Sequence, residues 1–183
     1  MVIKKTDVKR LLQIPATDTA QDDAIDKFIE VLPEWLVGFC RQNFINPNLY
    51  RVANTFTFSG QTITDSLSGF LTAGFAGGMD IHIYGSQQND GYYTIESVTA
   101  DVLTVKDRHF NEEPEFWTVN LHQVIFPAGL QLPVASLFGY WLSKGKKQGV
   151  NSESIGDYSV SYSADMPQEI LSMFKPFRRV KWL

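Results

Sequence analysis

The spacing of the apolar residues changes twice along this chain, and those two changes limit the possible folds more than any single motif does. Ile25, Phe28, Ile29, Leu32, Trp35, Leu36, Phe39 and Cys40 recur at the spacing of one face of a helix. From residue 52 the period drops to two. The runs "TFTF", "QTIT", "MDIHIYG", "GYYTIESV", "DVLTVK" and "WTVNLHQV" are short and β-rich, and "SG", "AGFAGGMD", "SQQNDG" and "SVTAD" between them carry turn chemistry. After "FPAGLQLP" helical spacing returns, with Ala135, Phe138 and Leu142 on one face and Leu137 and Trp141 beside it. The simplest topology is a helical domain of residues 1–51 plus 127–183, interrupted by a β domain of residues 52–126 whose ends lie close together. The expected fold class is therefore α+β: a small bundle of about four helices with an inserted small all-β barrel or sandwich.

Local signals refine the helical part. Thr6 or Asp7 can cap a short helix carrying Val8, Leu11 and Leu12, which Pro15 ends. Thr19 followed by Asp22 resembles a capping box for the long helix, and Asp22, Asp23 and Asp26 suit its positive start. Pro33 falls inside that helix and removes a backbone donor, so a kink is expected there, with the helix ending near "RQNFINP". Pro133 is placed for a first helical turn, and Lys144, Lys146 and Lys147 suit the negative end before Gly149. A last helix starts around Pro167, carries Ile170, Leu171 and Phe174, and stops at Pro176. Trp35 and Phe39 are expected to pack beneath the helix that begins near Pro133.

Between the last two helices lies "SESIGDYSVSY". Tyr158, Val160 and Tyr162 alternate with the hydroxyls Ser159, Ser161 and Ser163, which is the beat of a strand rather than of a linker. Gly156 and Asp157 can turn the chain, so the stretch reads as a hairpin or hook with an apolar side that needs a surface to lie on. The chain's own helices or a neighbouring molecule could supply that surface. The end of the chain, "KPFRRVKWL", mixes Lys175, Arg178, Arg179 and Lys181 with Phe177 and Trp182. Pro176 is expected to stop the helix and free these residues to reach outward; a solvated end and a partner-binding end both fit the composition.

Composition excludes several classes. At 183 residues and 44% apolar content the chain can bury a core, and a single cysteine forbids an internal disulfide framework. "MVIKKTDVKR" passes straight into charged residues with no apolar signal core, and no apolar run approaches the roughly 18 residues of a membrane span, so a soluble, intracellular protein is expected. Residues 52–126 hold nine acids against two bases, a net of -7, whereas residues 127–183 hold seven bases against four acids, a net of +3. Such asymmetry suits two surfaces with different partners. The pI near 5.3 and the lack of a helix-turn-helix pattern argue against a DNA-binding regulator. His82, His109 and His122 have no second histidine or cysteine at ligand spacing, and "RHFNEE" reads as a solvated polar loop. Neither "GFAGGMD" nor "SKGKKQG" fits a phosphate loop, and Cys40 falls on the apolar stripe as a core residue. No catalytic constellation, metal site or cofactor motif is read from the sequence.

The two ends of the chain resemble a known family. "DVKRLLQIPATDTAQDDAIDKFIEVLPEWLVGFCRQNF" looks like the opening of the bacteriophage head-to-tail connector (adaptor) proteins, and "LPVASLFGYWL" followed by "VNSESIGDYSVSYSADMPQEILSMFKPFRR" is similar to their C-terminal half. "SESIGDYSVSY" is the most specific element. The β segment departs from the compact family pattern, although "FLTAGFAGGMDIHIYGSQQNDGYYTIESV" is similar to small β modules of phage structural proteins. The resemblance implies a non-enzymatic virion protein of the phage neck, folded in the host cytoplasm. It would assemble as a ring, typically of twelve subunits, beneath the portal protein, extend the channel through which DNA passes without specific binding, and dock the next neck or tail-completion protein. It also implies that Ile155, Gly156, Asp157, Tyr158, Val160 and Tyr162 of the hook, with Lys175, Phe177, Arg178, Arg179, Lys181 and Trp182 of the tail, meet a neighbouring subunit or the portal. Two other classes stay open. One is a cytoplasmic binding module that holds a ligand or glycan on aromatics such as Tyr92, Tyr93 and Trp117; the other is a small enzyme whose site is assembled from distant residues.

Overall fold

The computed structural model describes residues 2–106, 108–115, 117–145, 152–155, 158–161 and 166–179, with backbone alone for 144–145, 152–155 and 158–161. The chain is α+β and divides into two compact units, Asn43–Phe126 and Val2–Gln42 with Pro127–Leu183. No helix among the described residues is long and apolar enough to cross a membrane.

The helical unit is built on two long elements, α2 (Asp22–Cys40) and α4 (Gln131–Gly145), with the seven-residue α1 (Lys5–Leu11) beside them. Burial of Ile25, Phe28, Leu32, Leu36 and Cys40 follows the stripe read from the sequence. Pro33 is itself buried, and α2 continues through it to Cys40. The expected capping box is absent: Gln21 precedes the helix without a side-chain cap, and Asp22 instead pairs with Lys9 at 2.5 Å. Lys9 is 6% exposed and also donates to the Asp18 carbonyl at 2.7 Å, so a buried ammonium holds α1 to the start of α2. Thr6 and Asp7 likewise lie inside α1 rather than capping it, and Asp7 accepts from Arg10 at 3.1 Å. Gly139 lets α4 approach α1 closely, since a Cβ there would stand 2.9 Å from Leu12 Cδ2.

Trp35 reaches α4 as expected, edge-on to Trp141 at 6.2 Å. Phe39 turns elsewhere, stacking on Trp35 at 4.8 Å and packing edge-on against Phe174 at 5.4 Å. Phe174 closes the last helix of the unit, a seven-residue element, and is fully buried. The described residues of this unit hold four α-helices, as expected, but because the two outer ones are only two turns long the unit is a two-helix core with short pieces packed on it rather than the expected bundle.

The second unit holds β1 (Ile45–Ala53), β2 (Phe56–Gly60), β3 (Thr62–Asp65), the one-turn helix α3 (Phe70–Ala73), β4 (Asp80–Tyr84), β5 (Gly91–Val98), β6 (Val102–Val105), β7 (Phe110–Glu113) and β8 (Val119–Val124). All eight strands form one antiparallel sheet in the order β1-β8-β4-β5-β6-β3-β2-β7. The expected barrel or sandwich is therefore replaced by a single open sheet whose edges are β1 and β7. Alternation places Phe56, Phe58, Ile63, Ile81, Ile83, Tyr93, Ile95, Leu103, Val105, Phe110 and Leu121 in one buried cluster, joined by Phe70 and Phe75 from the α3 segment. Strands from both ends of the order feed this cluster, so the sheet curls over one core. Register shifts in β1/β8, β2/β7 and β5/β6 supply the local bends.

Candidate functional site

The hook is a hairpin. After α4 come β9 (Ser152–Ile155) and β10 (Tyr158–Ser161), paired antiparallel with Tyr158 opposite Ile155 and Val160 opposite Glu153. Among the described residues they form a separate two-stranded sheet, joined to no other strand. Gly156, Asp157, Tyr162, Lys181 and Trp182 lie outside the described residues.

The start of the tail is docked rather than free. Beyond α5 (Gln168–Phe174), residues Lys175–Phe177 make one tight turn, and the Phe177 carbonyl accepts from Gln42 Nε2 at 2.5 Å. The Arg179 amide donates to the Cys40 carbonyl at 2.9 Å, satisfying a carbonyl that the end of α2 leaves open. The Arg178 guanidinium lies 5.1 Å from the centroid of the Phe39 ring. Pro176 thus does not release the chain. Phe177 is a packing residue whose ring stands close to Gly129, while Lys175, Arg178 and Arg179 remain exposed. Cys40 lies beneath this seam, where burial pushes its thiol pKa up and the Arg178 charge opposes the shift only in part.

Along the N-terminal half of α2 the helical unit leaves a groove of about 620 Å³ lined by Ala24, Phe28, Val31, Phe138, Trp141 and Leu142, with Gln21 and Lys27 at its edges. Val31 is 54% exposed. Such an apolar surface is costly to leave in water and cheap to cover.

The outer face of the β unit carries a row of rings. Tyr92 of β5 stacks on His82 of β4 at 4.3 Å, His82 on Tyr84 at 5.3 Å, Tyr84 on His122 of β8 at 5.5 Å, and His122 on Tyr50 of β1 at 5.3 Å. The sequence groups Tyr92 with Tyr93, but alternation separates them: Tyr93 points into the core, where its hydroxyl donates to the Asn89 carbonyl at 3.0 Å. Trp117 is 47% exposed.

Two buried polar clusters went unread in the sequence, because carboxylates in turn-rich segments look solvated. Asp65 is fully buried and accepts from Arg51 Nε at 2.5 Å, Thr55 Oγ1 at 2.7 Å and the amides of Leu67 and Gly69 at 3.1 Å. Burial pushes its pKa up, but these donors outweigh that and hold it below the usual carboxylate range. Glu113, within the supposedly solvated "RHFNEE", is 4% exposed in β7 and accepts from the Gln87 amide at 2.7 Å and Asn89 Nδ2 at 2.8 Å. The Asn89 side chain also donates to the Asn111 carbonyl at 3.1 Å and accepts from its amide at 2.8 Å, standing in for a strand along β7. Both clusters are held by internal partners and brace turns. Among the described residues no group of three or more His, Cys, Asp or Glu side chains could hold a metal ion. No protein-family model matches the chain, and no curated protein matches it.

Proposed function

We propose that this chain is a structural subunit of a tailed-phage neck, a head-to-tail connector that forms a ring under the portal, lines the path of the DNA and receives the next neck or tail component. The observation that carries this reading is the β9–β10 hairpin, which forms a two-stranded sheet of its own in the segment that most resembles the connector family. A hairpin of that size is marginal in water and gains stability from a surface that covers it. The helical unit offers such a surface in the α2–α4 groove. A ring of identical subunits needs two different complementary patches on each copy, and a hairpin seated in the next copy's groove supplies them. The basic end of the chain then faces the portal, with Lys175, Arg178 and Arg179 exposed for attraction at a distance. This role requires no cofactor and no catalytic group, and an acidic β unit that repels phosphate suits a channel through which DNA must slide.

Electron microscopy of the purified protein mixed with its portal tests the proposal. Rings at the portal vertex are expected, and the double variant Tyr158→Ala with Tyr162→Ala should keep its helical content and thermal stability yet fail to join them. A monodisperse monomer that never binds a portal refutes the connector reading, and retention of an oligosaccharide by that monomer would favour a binding module. If the double variant unfolds, the tyrosines belong to the chain's own core.

A further inference from the structure

Strand β1 is held to the sheet from two sides. Its inward residue Arg51 is tied to Asp65, and its outward residue Tyr50 lies flat on His122, its register partner on β8, with an interplanar angle of 14°. The first half of β1 contributes little to the ladder, since the register shifts between Ile45 and Tyr50. On its other side His122 meets Tyr84, whose hydroxyl lies 3.1 Å from Nε2. His122 Nδ1 is shut off from solvent and has no hydrogen-bond partner. An imidazolium carries a proton on both nitrogens, and here one of them would be buried with nothing to accept it.

We propose that His122 is an acid-sensitive latch: neutral, it clamps Tyr50 of β1 to the outer face of the sheet, and its protonation releases that clamp. The groups facing it support this direction. Tyr50 comes from β1, Tyr84 and His82 from β4, and the neutral Asn120 and Gln123 flank it on β8; His82 is its register partner and adds repulsion if both rings charge. Asp80, an anion on β4 beyond His82, accepts from Thr94, while Arg108 reaches the Tyr92 carbonyl on β5. Burial also lowers the pKa of His122 below its ordinary value. The sign follows. The closed latch binds the proton less well than the open one, so closure is fully favoured above about pH 6.5 and weakens as pH falls from there through the lower value of the closed state. The inner tie, Arg51 to Asp65, survives that range because Asp65 stays ionised, so β1 opens more often on acidification and recloses on an anchor that is still in place.

The test is amide hydrogen exchange on the intact chain at about pH 7.5 and about pH 5.5, corrected for intrinsic rates, with the β6 amides of Val102–Val105 as internal reference. Opening at Tyr50–Ala53 should increase on acidification relative to the reference, because the open strand binds the proton more tightly than the closed one. In His122→Phe, which keeps a ring and cannot titrate, the increase should vanish. No acid response at β1 in the wild type overturns the proposal, as does a response that persists in the variant. Should the variant fold poorly, an NMR titration of the wild-type His122 ring decides alone: a pKa at or above the ordinary 6.5 overturns it.

Discussion

Replacing Asp65 with Asn removes one charge and no volume, and the surrounding geometry sets the size of the effect. One carboxylate oxygen accepts from Arg51 Nε and the Gly69 amide, the other from Thr55 Oγ1 and the Leu67 amide. An amide presents one acceptor and one donor, so two of these donors lose their acceptor and the Arg51 guanidinium loses its counter-charge. Removing one partner from a buried pair costs about 3 to 5 kcal/mol. The Arg51 side chain is 21% exposed and can recruit some water, which places the expectation near the lower bound, about 3 kcal/mol. Urea denaturation followed by the sheet signal should show the midpoint fall with the slope unchanged. Combining Asp65→Asn with Arg51→Met should cost less than the sum of the single changes, because no charge is then left alone. The pH dependence provides a second reading. Asp65 has a depressed pKa when folded, so its contribution is complete above about pH 4 and fades as pH falls through the folded value. The gap between wild type and variant should therefore be flat from neutral pH to about 4 and narrow below that. A loss under about 1 kcal/mol, or a gap that does not narrow, would refute the account.

Trp35→Ala should destabilise the helical unit by about 2 to 3 kcal/mol by thermal or urea melting, below the cost of a fully buried ring, because Trp35 is half-buried yet touches Phe39, Trp141 and Phe174. Asn89→Ala should cost about 2 kcal/mol and raise the aggregation rate measured by light scattering, since it strips the substitute strand from the β7 edge. Gly69→Ala should mimic loss of Arg51 in the urea assay, because its Cβ would overlap the guanidinium. Truncation after Arg179 should leave the melting temperature unchanged and reduce portal binding in a pull-down, whereas truncation after Phe174 should also destabilise by removing the Phe177 and Arg179 contacts to α2.

The parts of the fold that local pattern encodes were legible in the sequence. Ile81 and Ile83, or Leu103 and Val105, are inward because strict alternation leaves no other choice, and α2 is set by a stripe that only a helix can gather. β1 was not legible: "INPNLYRVA" carries two asparagines and a proline in its first half, and it is a strand only because a register shift absorbs them against β8. Strand order was hidden too, since pairing β8 between β1 and β4 depends on contacts far apart in sequence. Glu113 was read as solvated and Asp65 drew no reading, because the partners that let them be buried, Asn89 and Arg51, are visible only in three dimensions. The turn signal of the hook pointed to a hairpin, and β9 and β10 pair as one with Ile155 opposite Tyr158, while Phe177 is a packing residue that composition alone could not tell from a free one.

The first and last strands of the β unit are neighbours, with Ile45 opposite Val124. Paired strands lie about 5 Å apart, so the polypeptide enters and leaves this unit through a single gate. To the rest of the chain such a unit is equivalent to a short loop: a single recombination event can add it, delete it or exchange it for a module of another kind without redrawing what lies on either side. Selection can then tune the module's surface and that of its host on separate clocks, and an experimenter can use the same gate to graft a reporter or an affinity domain in its place.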